Sequence, residues 1–249
     1  MKIGNKIHRF SSCPSTNNLA RKYASQGEPE GTVVIADQQT KGKGTQGREW
    51  ISPPGKGVYI SFILYPPASG LSLLPLVGGL TVREAVFESV GVSVQLKWPN
   101  DIMWKRKKLG GILCESSFWG GKLLYVILGI GLNTGHQVQD FPEEVRSAAS
   151  SLDLITSKEV QVERESIVEN LFQSLECWYE VFLKGENSKI VDAFQHHSAI
   201  YPGKKVTVAA ENEVVSGIYS GINPEGGIIL DVGGKQKTFY SGQVHFLGK

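Results

Sequence analysis

"KWPNDIMWKRKKLGGIL", Lys97–Leu113, is the stretch whose reading decides the fold. A Trp-Pro-Asn-Asp corner leads into the short apolar run Ile102-Met103-Trp104, then into four consecutive cations at 105–108, then into Gly110-Gly111. A solvated turn uses Lys freely but has little need of two tryptophans within eight positions. The corner therefore reads as a fixed element that holds positive charge beside Asn100, Asp101 and the glycine pair. Lys105, Arg106 and Lys107 read as a solvated hairpin tip.

Working outward, five segments read as strands: 31–39, 57–64, 92–98, 108–116 and 122–133. They are rich in β-branched residues, bounded by Gly or Pro, and several are apolar enough to be buried on both faces. Helical patterns lie between them. The segment 15–27 opens on Ser and Thr, both able to cap a helix, and stops at Gly27. In 71–90, Leu73, Leu76, Val77 and Leu80 share one helical face, and in 163–184 Ile167, Leu171, Leu175 and Phe182 do the same. Near residue 200 the texture changes to short strands and Gly-rich turns, with Pro202-Gly203 at the break. The expectation is an α+β catalytic domain over 1–199, a mixed sheet with flanking helices, followed by a small β-barrel or curled sheet over 200–249.

Composition bounds the chemistry. Over 249 residues the apolar share is 41%, the charged share 20% and the formal net charge +2, an ordinary globular balance that does not favour a nucleic-acid binder. Cys13, Cys114 and Cys177 are scattered and odd in number, which reads as reduced thiols in an intracellular protein. The N-terminus lacks the apolar core of a signal peptide, and the longest apolar run is broken by Pro75. A cytoplasmic location without membrane attachment is expected. His196-His197 has no carboxylate or Cys at ligand spacing, and no G-x-S-x-G elbow points to a hydrolase.

Two further motifs carry chemistry. In "QTKGKGTQGREW" (39–50), Gly42, Gly44 and Gly47 alternate with Lys43, Thr45 and Arg48 directly after a strand. Glycines free backbone N–H groups to wrap an anion while the cations add charge, although the spacing is not that of a Walker A loop. A mobile surface turn accounts equally well for the glycines alone. In "GIGLNTG" (129–135), Gly129 and Gly131 leave one strand face bare, and Asn133 offers an amide at the strand end. A bulge with a capping Asn is the commoner source of that pattern.

Taken in order, "STNN" (15–18), Gln39 with the Gly-rich loop, "KWPND", "KKLGGIL", "GIGLN" and the closing "YSGQV" resemble the biotin protein ligases over nearly the whole chain. The resemblance implies a class II synthetase-like catalytic domain and an Src-homology-3-like barrel. It implies that biotin and ATP form biotinyl-adenylate and pyrophosphate, and that biotin then passes to a lysine of an apo biotin carboxyl carrier protein. An anionic carboxylate must meet an anionic phosphate, so charge neutralisation and orientation matter more than acid–base work.

On this chain the resemblance assigns Lys108 and Arg48 to catalysis, a preorganised donor such as Lys108 being worth about 3–4 kcal/mol. It gives Asp101, with Asn100, a Mg²⁺ ion to hold beside the triphosphate. Ser15, Thr16, Asn17, Gln39, Gly42, Lys43, Lys108 and Gly111 would contact biotin, whose thiophane ring would lie between Trp50 and the bare face at Gly129 and Gly131. Lys43, Gly44, Thr45, Arg48, Lys97, Asn100, Lys108 and Asn133 would contact ATP. Apart from the resemblance, Ser15 and Thr16 are helix caps.

The chain also departs from the family pattern. Thr45 stands where an arginine is usual, so looser retention of the adenylate is expected unless Arg48 takes its place. With "STNN" starting at residue 15, no preceding helix-turn-helix is expected, and with it no DNA-bound repressor role. Relatives pair through exposed sheet edges, so a homodimer is compatible with the family. The rival readings are a lipoyl or octanoyl transferase of the same fold, and a non-catalytic module that binds biotin, nucleotide or RNA.

Overall fold

The computed structural model describes residues 2–156, 161–211 and 213–246. Strands β1 (Lys6–Phe10), β2 (Thr32–Ala36), β3 (Gly57–Leu64), β4 (Gln95–Lys97), β5 (Asp101–Trp104), β6 (Lys107–Trp119) and β7 (Lys122–Asn133) form one sheet. Its order is β1-β2-β3-β7-β6-β5-β4. β1 runs parallel to β2 and the other neighbours are antiparallel, so the sheet is mixed, as the sequence pattern suggested.

All residues of β2 and β3 are buried because both sheet faces are covered. On one face α1 (Thr16–Ser25) lays Ala20 and Ala24 on Val34, Ile63 and Ile127. The other face carries α2 (Leu74–Val90), α4 (Arg164–Leu183) and α5 (Asn187–His196), and its core takes the alternate residues Val33, Ile35, Ile60 and Phe62. Pro75 does not break α2; it occupies the first turn, where its missing N–H leaves no bond unmade. The short helix α3 (Glu143–Arg146) lies in the segment after β7. Among the described residues no helix is long and apolar enough to cross a membrane.

The C-terminal part corrects the expected barrel. Strands β8 (Lys205–Ala209), β9 (Val214–Ile222), β10 (Ile228–Val232), β11 (Lys235–Phe239) and β12 (Gln243–Phe246) form an antiparallel sheet ordered β11-β10-β9-β8-β12. β11 pairs with β10 and β12 with β8, and β11 and β12 remain the two edges of an open sheet. Closure is unnecessary because the apolar face has another cover. Val206, Val208, Tyr219, Leu230 and Val244 belong to the same core cluster as α2 and α4. Trp98 Nε1 donates to Gly226 O at 2.9 Å and Ile222 N to Gln195 Oε1 at 3.0 Å, fastening this sheet to the "KWPND" corner and to α5.

Candidate active site

One cleft of about 370 Å³ collects most of the residues singled out in the sequence. β6 and β7 supply its floor through Gly111, Leu113, Gly129 and Gly131. The start of α1 brings Ser15, Thr16 and Asn17, and the loop after β2 brings Gln39, Lys43, Gly44, Thr45, Arg48 and Trp50. Asn100, Lys108 and Asn133 line the opposite end. Gly42, Lys97 and Asp101 stand outside this lining.

At one end the polar groups are organised by each other. Gln39 Oε1 accepts from Thr16 N at 2.8 Å and from Thr16 Oγ1 at 3.1 Å, while Gln39 Nε2 donates to Ser52 Oγ at 2.9 Å. Asn17 Nδ2 donates to Glu115 Oε2 at 2.8 Å, and Asn17 Oδ1 accepts from Ser61 Oγ at 2.6 Å. Such a network fixes rotamers before any ligand arrives. Ser15 takes the N-cap position of α1 with extended backbone angles, yet its hydroxyl makes no cap hydrogen bond. The hydroxyl sits in the cleft lining with the residue 1% exposed. Capping does not explain it.

The bare strand face is filled differently from the expected sandwich. A Cβ at Gly129 would overlap Asn17 Oδ1, and one at Gly131 would come within 2.5 Å of Trp50 Nε1. The two glycines admit the protein's own Asn17 and Trp50, which then line the cleft. Trp50 Nε1 is buried without a hydrogen-bond partner among the described residues, and Lys108 Nζ lies 5.5 Å from the centre of the Trp50 ring.

At the other end two lysines converge on one acid. Asp101 Oδ1 lies 2.5 Å from Lys108 Nζ, and Asp101 Oδ2 lies 3.1 Å from Lys97 Nζ. Burial pushes the Asp101 carboxyl upward, but the Lys108 and Lys97 charges and their hydrogen bonds together outweigh it and hold it below the usual carboxylate range. The corner is rigid: Asn100 Nδ2 donates to Ile112 O at 2.8 Å while Ile112 N donates to Asn100 O at 2.9 Å. Asn133 Nδ2 likewise donates to Ser150 O at 3.0 Å.

The expected metal role of Asp101 does not suit this donor set. Each of its oxygens already faces an ammonium group, and no cluster of three or more His, Cys, Asp or Glu exists among the described residues. Mg²⁺ prefers oxygen donors in near-octahedral array, and one neutralised carboxylate does not make a resident site.

The Gly-rich loop is closed on itself. Gly44 N donates to Arg48 O at 2.7 Å, Trp50 N donates to Gly42 O at 3.0 Å, and Lys43 Nζ reaches Asn18 Oδ1 at 2.7 Å. Arg48 Nη2 donates to Thr45 Oγ1 at 3.0 Å and Arg48 Nε to Thr45 O at 3.2 Å.

The segment 141–149 escaped the sequence reading. Phe141, Pro142, Val145, Ala148 and Ala149 add an apolar wall to the cleft. The wall is pinned to the backbone of Lys108, since Lys108 N donates to Ala148 O at 2.7 Å and Ser150 N to Lys108 O at 2.9 Å. Behind it the fully buried His136 ring stacks on Phe141 at 5.0 Å between centroids. The run has no period that would mark it. Its one sequence signal is an aromatic-proline pair shortly after "GLNTG".

Residues 9–133 match the model of the biotin/lipoate A/B protein ligase family, and residues 202–247 match the biotin protein ligase C terminal domain. The chain belongs to the biotin/lipoate A/B protein ligase family. Its similarity to other members of the family extends over most of its length. The bifunctional ligase/repressor BirA of Bacillus subtilis is 32% identical over 92% of this chain and 70% of its own. The biotin–[acetyl-CoA-carboxylase] ligase of Mycobacterium tuberculosis is 31% identical over 92% of this chain and 85% of its own. Among solved structures, the biotin protein ligase from Aquifex aeolicus in complex with biotin and ATP aligns with a TM-score of 0.82 and 27% identity, covering 98% of this chain and 100% of that one.

Proposed function

We infer that the chain is an ATP-dependent biotin–protein ligase, and that the cleft brings biotin and ATP together. The carrying observation is that one cleft joins a hydrogen-bonded polar cluster at Thr16 and Gln39 to an ammonium group at Lys108 aimed by Asp101. The polar end suits a neutral bicyclic urea, Trp50 and Leu113 suit its apolar body, and the cationic end suits a carboxylate meeting a phosphate. The Phe141–Ala149 wall suits the flat adenine ring.

In the first step a carboxylate oxygen of biotin forms a bond to the α-phosphorus of ATP, and the bond from that phosphorus to the bridging oxygen breaks. Pyrophosphate leaves with that electron pair. Lys108 offsets the charge on the carboxylate and the α-phosphate oxygens, and Arg48 approaches the phosphates from the loop. Asp101 acts by orienting Lys108 and Lys97. Mg²⁺ enters as part of the Mg–ATP substrate, held by phosphate and water oxygens. In the second step the amine of an acceptor lysine bonds to the acyl carbon, AMP leaves with the anhydride oxygen, and the amine gives up a proton. An apo carboxyl carrier domain in the cytoplasm is the proposed acceptor, in keeping with the carboxylase ligase relative.

A lipoyl or octanoyl transferase shares the N-terminal family, but the match of 202–247 to a biotin protein ligase C-terminal domain favours biotin. Incubation with Mg–ATP, an apo carboxyl carrier domain and either biotin or lipoate, read by mass, tests the assignment. Addition of a biotinyl group to one lysine is expected. Lipoate transfer alone would overturn it.

A further inference from the structure

We propose that Gln243, at the start of β12 in the C-terminal sheet, is a positioning residue for Arg48 of the Gly-rich loop. The proposal rests on the ligase reading of the cleft. The Gln243 amide faces the Arg48 guanidinium, and the orientation that satisfies both partners places its oxygen 2.7 Å from Nη2 and also in contact with Nη1. Among the described residues Arg48 is otherwise held by its own loop, through the Thr45 hydroxyl and carbonyl. Its side chain lies at the exposed rim of the cleft, where a long flexible cation loses considerable freedom on being ordered. Among the described residues Gln243 supplies the hydrogen bond that ties this guanidinium to an element outside the loop.

The strand is built to deliver that amide. Gly242 has φ +136°, and a Cβ there would come within 2.8 Å of Ala209 O, so a side chain at 242 would push β12 off β8. With glycine the chain seats closely, and Gln243 pairs in register with Ala209. Further along the same strand Phe246 packs 5.9 Å from Lys97 Nζ, the second lysine on Asp101. One strand thus touches the Gly-rich loop and the Asp101 cluster, which approach the cleft from different sides. A glutamine suits this duty. As a neutral acceptor it aims the guanidinium without cancelling the charge that the phosphates require.

Gln243→Leu keeps the side-chain volume and removes the acceptor. The expected result is a KM for ATP raised about tenfold, the scale of one charge-assisted hydrogen bond lost from an ordered loop. The KM for biotin and the thermal midpoint stay where they were. Tryptic cleavage after Arg48, read by fragment mass without substrates, speeds several-fold, and Gln243→Glu, which retains an acceptor, preserves the protection. In an Arg48→Ala background, Gln243→Leu adds nothing further to the KM for ATP. Equal rises in both KM values with a lowered midpoint, or full additivity with Arg48→Ala, would overturn the proposal in favour of simple packing. A parent protein without biotin-dependent ATP–pyrophosphate exchange would remove the ligase reading, while the proteolysis would still report the Arg48–Gln243 contact.

Discussion

Replacing Asp101 by asparagine leaves two ammonium groups, Lys108 and Lys97, facing a neutral amide with little water to spread their charge. The Asp101 side chain is 14% exposed and Lys97 18%, whereas Lys108 is 35% exposed. Removing one partner from a fully buried pair costs about 3–5 kcal/mol; solvent access at Lys108 reduces the expected loss here to about 2–3 kcal/mol. With an m-value of roughly 2–3 kcal/mol/M, the urea midpoint should fall by about 1 M. Because the folded Asp101 carboxyl lies below its unfolded value, its contribution is present above pH about 3.9 and is lost as pH falls through the folded value. The Asn variant should therefore lose part of the acid limb of the parent's stability curve. Pyrophosphate exchange should fall as well, since Lys108 loses the group that aims it. If Asp101→Asn unfolds like the parent and instead needs far more Mg²⁺ for activity, the acid is a metal ligand and the reasoning fails.

Three other outcomes follow from the same geometry. Gly131→Ala forces the Trp50 ring to move, at a stability cost of about 1–3 kcal/mol. The KM for biotin should rise about tenfold in initial-rate assays while the KM for ATP changes little. Thr45→Arg adds a second guanidinium to the loop and should slow biotinyl-adenylate release measured by rapid filtration; an unchanged off-rate rejects that role for position 45. His136 is buried neutral, its pKa lowered by burial against smaller opposing effects of the Lys56 carbonyl and the Asp140 charge. Its contribution to stability is present above pH about 6.5 and is lost as pH falls from there through the folded value. In His136→Phe, which keeps the stack on Phe141, urea midpoints should depend less on pH over this range.

Much of this fold can be read from local pattern. β3 and β7 coincide with the apolar runs 57–64 and 122–133, because strands buried on both faces have no polar alternation to blur their ends. β1 is a short edge strand with a largely exposed Lys-Ile-His-Arg-Phe sequence, and β5 lies hidden between the Pro-Asn corner and the cation run, so neither carries a clear signal. That the C-terminal sheet stays open is not legible, because strand texture shows the turns but not what covers the apolar face.

The site divides in the same way. Residues whose chemistry is rare in a turn, such as Lys108, Gln39 and Trp50, stand out in the sequence and meet in the cleft, with Asp101 paired to Lys108 just outside its lining. What occupies the face left bare by Gly129 and Gly131 depends on α1 and the 39–51 loop folding back, which spacing does not reveal. The 141–149 wall has no periodicity, and the partner of Arg48 lies in the last strand.

The most direct measurement of the central claim is single-turnover formation of biotinyl-adenylate from biotin and Mg–ATP by the parent, Lys108→Arg and Lys108→Ala. If the Lys108 ammonium neutralises the carboxylate–phosphate encounter, Lys108→Ala should slow the step about 10²–10³-fold at saturating substrates. Lys108→Arg should retain a part of the rate, because it keeps the charge with altered geometry. An alanine variant that forms the adenylate at the parent's rate would contradict the account.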